Sequence, residues 1–410
     1  MRVALLVHHF PPDVNSTGRL MSRLTSAFRE DGHEVTVITS FPHYEGFRIW
    51  PPYRRKLFQR DRVDGVDIWR VWCFARGRKS MRNRLINYVT FNIMAAVVGL
   101  RIIPRADVVL ATNGSFFSGL SAWISGRGRV PFVYNVQDLY PEVPILAGQL
   151  RNPAAIALLR RTAHLMYARA SFVTVIAPSF RTYLHDKNGV ALQKVKVIPN
   201  FVDTDLIRPL PRNNEYAVRM GFADRFMVAH SGNLGYAYDL MTLMDAARLL
   251  ADQHDIRFVI IGNGVMKQQL VSKAQSLRLD NVSFLGFQPE NELPWMRASM
   301  DVHLALYIPS AARYSMPSKV YEIMASGRPV LASADPGSDV RQLVEGTGAG
   351  ICVNPLQPEA LAEAIVRLRD RPADRQDMGL LGRRYVEGNH TVAHIASEYE
   401  HLLSEAIALR

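Results

Sequence analysis

Short apolar runs recur along this chain, and nearly all of them end in a loop of glycine, proline or small polar residues. Residues 2–7 are the first run and 34–39 the second; 107–111, 132–136, 171–176 and 195–198 follow. A run without polar alternation suits a strand covered on both faces. Between the first two runs, Leu20, Leu24, Ala27 and Phe28 have helical spacing, closed by Asp31-Gly32. Strand, loop, helix, strand is the order that winds a parallel sheet with helices on its faces, and it puts the loops after the strands at the ligand-binding edge. The pattern pauses at the Pro-rich residues 199–211 and restarts with runs at 225–230, 257–261, 282–285, 301–306 and 329–332. A chain of 410 residues exceeds one ordinary core. We therefore expect an α/β protein of two Rossmann-like, doubly wound parallel-sheet domains. Residues 1–205 form the first, 206–222 a linker, 223–390 the second, and 391–410 a last amphipathic helix. The first loop lacks G-x-G-x-x-G, which argues against a dinucleotide cofactor.

Residues 314–332 are the most informative stretch. Pro317 suits a first helical turn, Ser315 and Ser318 are candidate caps, and Gly327 with Pro329 ends the helix before a buried strand. Such a helix opens with free N–H groups, a positive dipole end and the Lys319 ammonium, a site for phosphate. Glu322 shares the face of Ser318 and Lys319, about one turn or roughly 5 Å on, where a carboxylate can accept both hydroxyls of a ribose. The competing reading is a capped surface helix with an i,i+3 ion pair. The turn Ser231-Gly232-Asn233-Leu234-Gly235 reads as a tight strand-to-helix loop whose backbone can approach a diphosphate, and Gly262-Asn263-Gly264 repeats it. Asp203-x-Asp205 has the form of a metal-chelating pair, but at a strand end it reads as turn and capping residues.

Charge separates the two halves. Residues 1–200 carry 28 Lys and Arg against 12 Asp and Glu, and residues 201–410 carry 21 against 25. An excess confined to one half points to an anionic partner there: phospholipid, a lipid diphosphate or nucleic acid. Residues 85–100 hold no charge and lie between Arg82, Arg84, Arg101 and Arg105. They fall short of the roughly 20 residues of a bilayer span, and Asn87, Thr90 and Asn92 interrupt them. They read as a partly buried core helix with basic ends, or one that also touches a membrane surface. Cys73 and Cys352 form no spaced ligand set, as in a reducing compartment, and the apolar start before His8-His9 is too short for a signal peptide.

Taken together, His9-Phe-Pro-Pro12 with the Gly18 loop, Gly32-His-Glu-Val-Thr-Val37, Gln137-Asp138-Leu-Tyr-Pro-Glu142, Ile198-Pro-Asn-Phe-Val-Asp203, Ser231-Gly-Asn-Leu234 and Pro317-Ser-Lys-x-x-Glu322 resemble the retaining glycosyltransferases of family 4. The resemblance spans essentially the whole chain. It is strongest to the fucosaminyl and colanic-acid transferases of bacterial surface polysaccharide biosynthesis. It implies the GT-B architecture, two Rossmann-like domains facing a cleft, with the C-terminal helix crossing back to the first.

By that resemblance the second domain binds the nucleotide sugar. Ser231, Gly232, Asn233, Leu234 and Ser318 would hold the diphosphate, Lys319 would neutralise it and Glu322 would bind the ribose. Gly262, Gly264 and Phe287 would lie near the base, with Arg313, Tyr314 and Met316 completing the donor site. Tyr314 stands where the family pattern has a glutamate, and Asn233-Leu234 stand where it has Arg and Lys. More of the phosphate charge therefore falls to Lys319, helped by Arg313. Asn15, Gly18, Arg19, His43 and Tyr44 would bind the acceptor, with Asp138 as a catalytic or orienting residue; capping the next helix is the other role open to Asp138.

The expected reaction is retaining transfer of a hexosyl or amino-sugar residue to a saccharide carried on a polyprenyl diphosphate. The leaving phosphate takes the acceptor proton, and neither a metal nor a cofactor is required. The expected partners are the nucleotide sugar, the lipid-linked acceptor and, through the basic half, the inner face of the plasma membrane from the cytoplasm. No helix-turn-helix, zinc or RNP signature supports nucleic-acid binding. A nucleotide-sugar epimerase of the same architecture and a non-catalytic membrane-surface protein are the competing readings, and the basic aromatic segment 50–103 argues against the epimerase.

Overall fold

Strand β1 (Arg2–Leu6) is hydrogen-bonded to a parallel neighbour on each side, which is why its sequence shows no polar alternation. The computed structural model describes residues 1–410 except 14, 78, 79, 147, 310–315, 317 and 410. Helix α1 (Ser16–Glu30) follows, capped by Asn15, whose Oδ1 accepts the Gly18 amide at 2.6 Å. Next come β2 (Glu34–Ser40), β3 (Phe58–Val63) and β4 (Val66–Val71). Helix α2 (Met81–Ile102), β5 (Val108–Thr112), α3 (Ser118–Ser125), β6 (Phe132–Val136), β7 (Phe172–Val175) and β8 (Val195–Val197) complete the sheet, in the order β3-β4-β2-β1-β5-β6-β7-β8.

All these strands are parallel except β3, which pairs antiparallel with β4. The hairpin between them lies in a segment whose basic and aromatic composition hides it. Its turn, Asp64-Gly65, has φ of 49° and 74°, the left-handed pair that a two-residue hairpin requires.

Helix α2 is the partly buried core helix of this unit. Asn87, Phe91, Asn92, Ala95, Val98 and Gly99 face inward, and a Cβ on Gly99 would lie 2.6 Å from Ser125 Oγ of α3, so glycine sets that approach. Its outer side leaves Leu85, Val89, Ile93, Val97 and Leu100 exposed, one row at i+3/i+4 spacing. By length and composition this helix is apolar enough to cross a membrane.

The second unit, residues 201–391, restarts with β9 (Phe226–Asn233), α4 (Leu240–Leu249), β10 (Ile256–Asn263), β11 (Val282–Leu285), α5 (Leu293–Ala298), β12 (Val302–Leu306), α6 (Lys319–Ala325), β13 (Val330–Ser333) and β14 (Gly350–Val353). Its six strands run parallel in the order β11-β10-β9-β12-β13-β14. Residues read as linker belong to this unit: the short helix Glu215–Arg219 buries Tyr216 and Ala217 against Met296 and Met300. Asp203 Oδ1 accepts the amides of Asp205 and Leu206, a turn role. Residues 392–410, including α7 (Val392–Ala408), belong to the first unit, where the Tyr399 hydroxyl accepts from Asn135 Nδ2 at 2.8 Å.

Candidate functional site

In the second unit the residues of interest gather at the C-terminal ends of β9, β10 and β12 and at α6. Ser231-Gly232-Asn233, expected as a loop, are instead the last paired residues of β9, matched to Ile261, Gly262 and Asn263. A Cβ on Gly262 would come within 1.9 Å of Gly232 O, and one on Gly264 within 2.3 Å of Leu234 O. These glycines are therefore required by the approach of two backbones, whatever else they contact. Leu234 is fully buried; its amide donates to Asn263 O at 3.0 Å and its carbonyl accepts the Met266 amide. It carries neither a spare amide nor a reachable side chain, so the expected diphosphate contact at Leu234 is corrected to a core role. Phe287 is exposed, Met316 is buried, and Arg313 and Tyr314 lie outside the described residues.

Helix α6 starts at Lys319, preceded by Ser318, and Gly327 ends it at φ 68°. The Lys319 ammonium does not pair with Glu322 as an i,i+3 bridge would. It sits 4.6 Å from the centre of the Tyr238 ring, where cation–π attraction replaces part of its hydration. The Glu322 carboxylate accepts instead from Arg297 Nη2, which reaches it from α5. Arg297 is buried, and its Nε and Nη1 have no hydrogen-bond partner.

Two cations, only one of them paired, thus stand beside one partly exposed carboxylate. Burial, then the Arg297 charge, pull the Lys319 ammonium down to about 7, while Glu322 acts in the opposite direction. Around them lie more buried polar groups that make no hydrogen bond of normal geometry among the described residues: the Tyr307 hydroxyl and the ring nitrogens of His230, near which the Asn233 backbone stands. Burial and the nearby Lys319 charge keep His230 neutral, far below its ordinary value.

In the first unit, Gly18 is fixed by packing, since a Cβ there would stand 2.8 Å from both Asn15 Oδ1 and His9 O. Asn15 is engaged as the α1 cap, Arg19 is exposed one turn into that helix, and Tyr44 is exposed. His43, expected to touch an acceptor, is fully buried: Nδ1 donates to Phe41 O at 2.7 Å and Nε2 accepts from Asn87 Nδ2 at 3.0 Å. It supports the loop; it does not line its surface.

Asp13 organises this region. Its carboxylate accepts His9 Nδ1–H at 2.9 Å and the amides of His43 and Tyr44 at 3.0 and 2.9 Å. Asp138 follows β6, where its own carbonyl accepts from Asn113 Nδ2 at 2.6 Å. Burial raises the Asp138 carboxyl to about 6, so it changes charge near neutral pH.

The sequence reading missed Arg297, Tyr238, His230, Tyr307 and Asp13. Arg297 carried no signal, being one arginine among 49 Lys and Arg. Only its ion pair with Glu322 in three dimensions reveals it.

Two family models match the chain: "Glycosyl transferase 4-like domain" over residues 17–200 and "Glycosyl transferases group 1" over residues 216–384. The "Putative colanic acid biosynthesis glycosyl transferase WcaI" of Escherichia coli (strain K12) is 25% identical over 380 residues, covering 89% of this chain and 91% of that one. The "Probable glycosyltransferase WbjE" of Pseudomonas aeruginosa is 24% identical, covering 95% and 94%. Among solved structures, Anabaena Alr3699/HepE in complex with UDP superposes with a TM-score of 0.73 at 18% identity, over 99% of this chain and 100% of that one. WaaG, a glycosyltransferase involved in lipopolysaccharide biosynthesis, superposes with a TM-score of 0.69 at 14% identity, over 98% and 99%.

Proposed function

Because the chain belongs to glycosyltransferase family 4, the group 1 transferases of GT-B fold, we propose that its second unit grips a nucleoside-diphosphate sugar at Lys319 and Glu322. The enzyme moves a sugar from a nucleotide sugar, and the observation that carries the assignment of residues is a charge imbalance. Arg297 and Lys319 stand beside the one carboxylate of Glu322, and the burial of Arg297, with the partial burial of Lys319, makes the missing negative charge costly. A diphosphate supplies that charge. Arg297 takes Glu322 Oε2, and Oε1 is the atom we assign to the ribose hydroxyls.

As the bond from sugar to phosphate breaks, negative charge grows on the leaving diphosphate and positive charge on the anomeric carbon. An ammonium at the phosphate stabilises the first where it develops, typically by ~3 kcal/mol for a well-placed donor. Retention follows when the acceptor hydroxyl enters from the face the phosphate leaves and gives its proton to a phosphate oxygen. No protein base is then needed, and Asp138 orients the acceptor.

The acceptor in this reading is a polyprenyl-diphosphate-linked saccharide of cell-surface polysaccharide biosynthesis; the name of the E. coli relative supports the polysaccharide part, since it gives colanic acid biosynthesis. The basic first half and the exposed row on α2 hold the enzyme on the inner face of the plasma membrane, from the cytoplasm.

Product analysis tests the reading. Purified enzyme is offered a panel of UDP- and GDP-sugars with a polyprenyl-diphosphate saccharide, and the linkage is read by NMR. One donor transferred with its anomeric configuration kept is the expected result; a free epimerised nucleotide sugar and no glycoside would overturn it.

A further inference from the structure

Three histidines converge in the first unit. His8 and His9 follow β1, and His43 follows β2. One ring nitrogen from each lies within 4.8 Å of the others, and the ring centres of His8–His9, His9–His43 and His8–His43 are 4.1, 4.8 and 5.3 Å apart. Three imidazoles this close repel once protonated, so packing them together serves chiefly when they are neutral and their lone pairs have something to bind.

Two of the three are oriented as ligands are. His9 donates from Nδ1 to Asp13 Oδ2 at 2.9 Å, which leaves the Nε2 lone pair outward. His43 donates from Nδ1 to Phe41 O at 2.7 Å, and its Nε2 lone pair is turned to the buried Asn87 amide, from which it accepts at 3.0 Å. An outer carboxylate or carbonyl that fixes the ring in this manner is the usual companion of a metal-bound histidine. The third residue supplies an independent sign. His8 is 2% exposed, and among the described residues neither ring nitrogen makes a hydrogen bond of normal geometry, the Gly114 backbone and the Asn87 side chain standing near it without closing one, although a buried imidazole ordinarily finds a partner. Phe91 and Tyr88 of α2 wall its ring at 4.7 and 5.5 Å between centres.

We propose that His8, His9 and His43 form a binding site for one divalent first-row metal of the zinc class, held on the loops after β1 and β2. Three neutral imidazoles select Zn2+ or Co2+ over Mg2+, which requires oxygen ligands. Metal–nitrogen bonds of about 2.0–2.1 Å require the three nitrogens to draw closer than they stand. The Asn87 amide now donating to His43 Nε2 gives way to the metal. Three protein ligands leave a fourth position for water or a substrate oxygen. The site lies in the first unit and does not rest on the donor reading at Lys319.

The test uses the full chain freed of any affinity tag, stripped with a chelator and titrated with Co2+. The expected result is one equivalent bound, with the visible absorption of tetrahedral cobalt, displaced by Zn2+ and unaffected by Mg2+. His8→Gln and His9→Gln each abolish the spectrum; His9 is partly exposed, so its variant keeps the fold if the buried His8 variant does not. Asp13→Asn, which touches no metal, weakens Co2+ binding about 10–100-fold. Absence of saturable binding overturns the proposal. So does an unchanged spectrum in the His9 variant, which would place the metal on other histidines. Because no step of the test reads sugar transfer, failure of the donor assignment leaves its outcome unaffected.

Discussion

Arg297 on α5 holds the carboxylate of Glu322 on α6, one turn from Lys319, and the pair links two short helices by their side chains. Removing Glu322 strands the buried Arg297 without its partner, while Glu322, one third exposed, keeps water when Arg297 is removed. Glu322→Gln and Arg297→Met should each cost about 1–3 kcal/mol in urea unfolding, and the double variant should cost clearly less than their sum. Strict additivity would show that the two side chains do not interact.

Lys319→Ala should lower turnover about 100-fold or more while the melting temperature holds or rises, because the substitution removes a charge the fold solvates poorly. The same depression fixes a pH dependence. Between about 7 and the ordinary 10.5 the unfolded chain holds the Lys319 proton more firmly than the folded one. This group's contribution to stability is therefore lowest below pH 7 and grows as pH rises through that window. A bound diphosphate reverses the preference. Calorimetry of nucleoside-diphosphate binding at pH 8, in buffers of different ionisation enthalpy, should show proton uptake approaching one. Affinity should fall by up to about tenfold per pH unit above 7. Uptake of zero would mean that Lys319 is already charged.

Asp138 behaves in the opposite sense. Its carboxyl is raised to about 6, so between about 4 and 6 the folded state keeps a proton the unfolded state has lost. That contribution is present below pH 4 and gone once pH passes 6. Asp138→Asn should stabilise the protein by about 1–2 kcal/mol at pH 7.5 and leave it unchanged at pH 4. Turnover should drop in the same variant; full activity would leave Asp138 with no part in orienting the acceptor.

The outer row of α2 gives a membrane prediction. Ile93 and Val97 are 58% and 57% exposed, so Ile93→Asp and Val97→Asp should shift stability by no more than ~0.5 kcal/mol each. Both should reduce flotation with anionic vesicles, and salt should release the wild-type protein. Equal flotation with neutral vesicles would remove the electrostatic component.

Much of this architecture was legible in the sequence because buried parallel strands announce themselves as unbroken apolar runs. Strands β1, β6 and β11 lie where their runs do. Where the reading failed, two patterns overlapped. In β3 and β4 the antiparallel edge carries three arginines and Trp69, and composition drew attention from the Asp64-Gly65 turn that marks the hairpin. At Ser231–Asn233 small residues suggested a loop, while the close approach of Gly232 to Gly262 lets the two strands continue their pairing. Lys319 and Glu322 were legible because they are neighbours on one helix. Their partners Tyr238 and Arg297 lie 81 and 25 residues away from them and could be found only in three dimensions.

The return of α7 to the first unit has a consequence for synthesis on the ribosome. The first unit joins residues 1–200 to residues 392–410, so it stays incomplete until residues 392–410 have been made. Its buried Asn135 waits for the hydroxyl of Tyr399, and helix α1 waits for its neighbour. The second unit, made without interruption, can close first. A nascent chain stalled near residue 391 should therefore be protease-resistant in its later half and open in its earlier one, the reverse of the order in which the two were made.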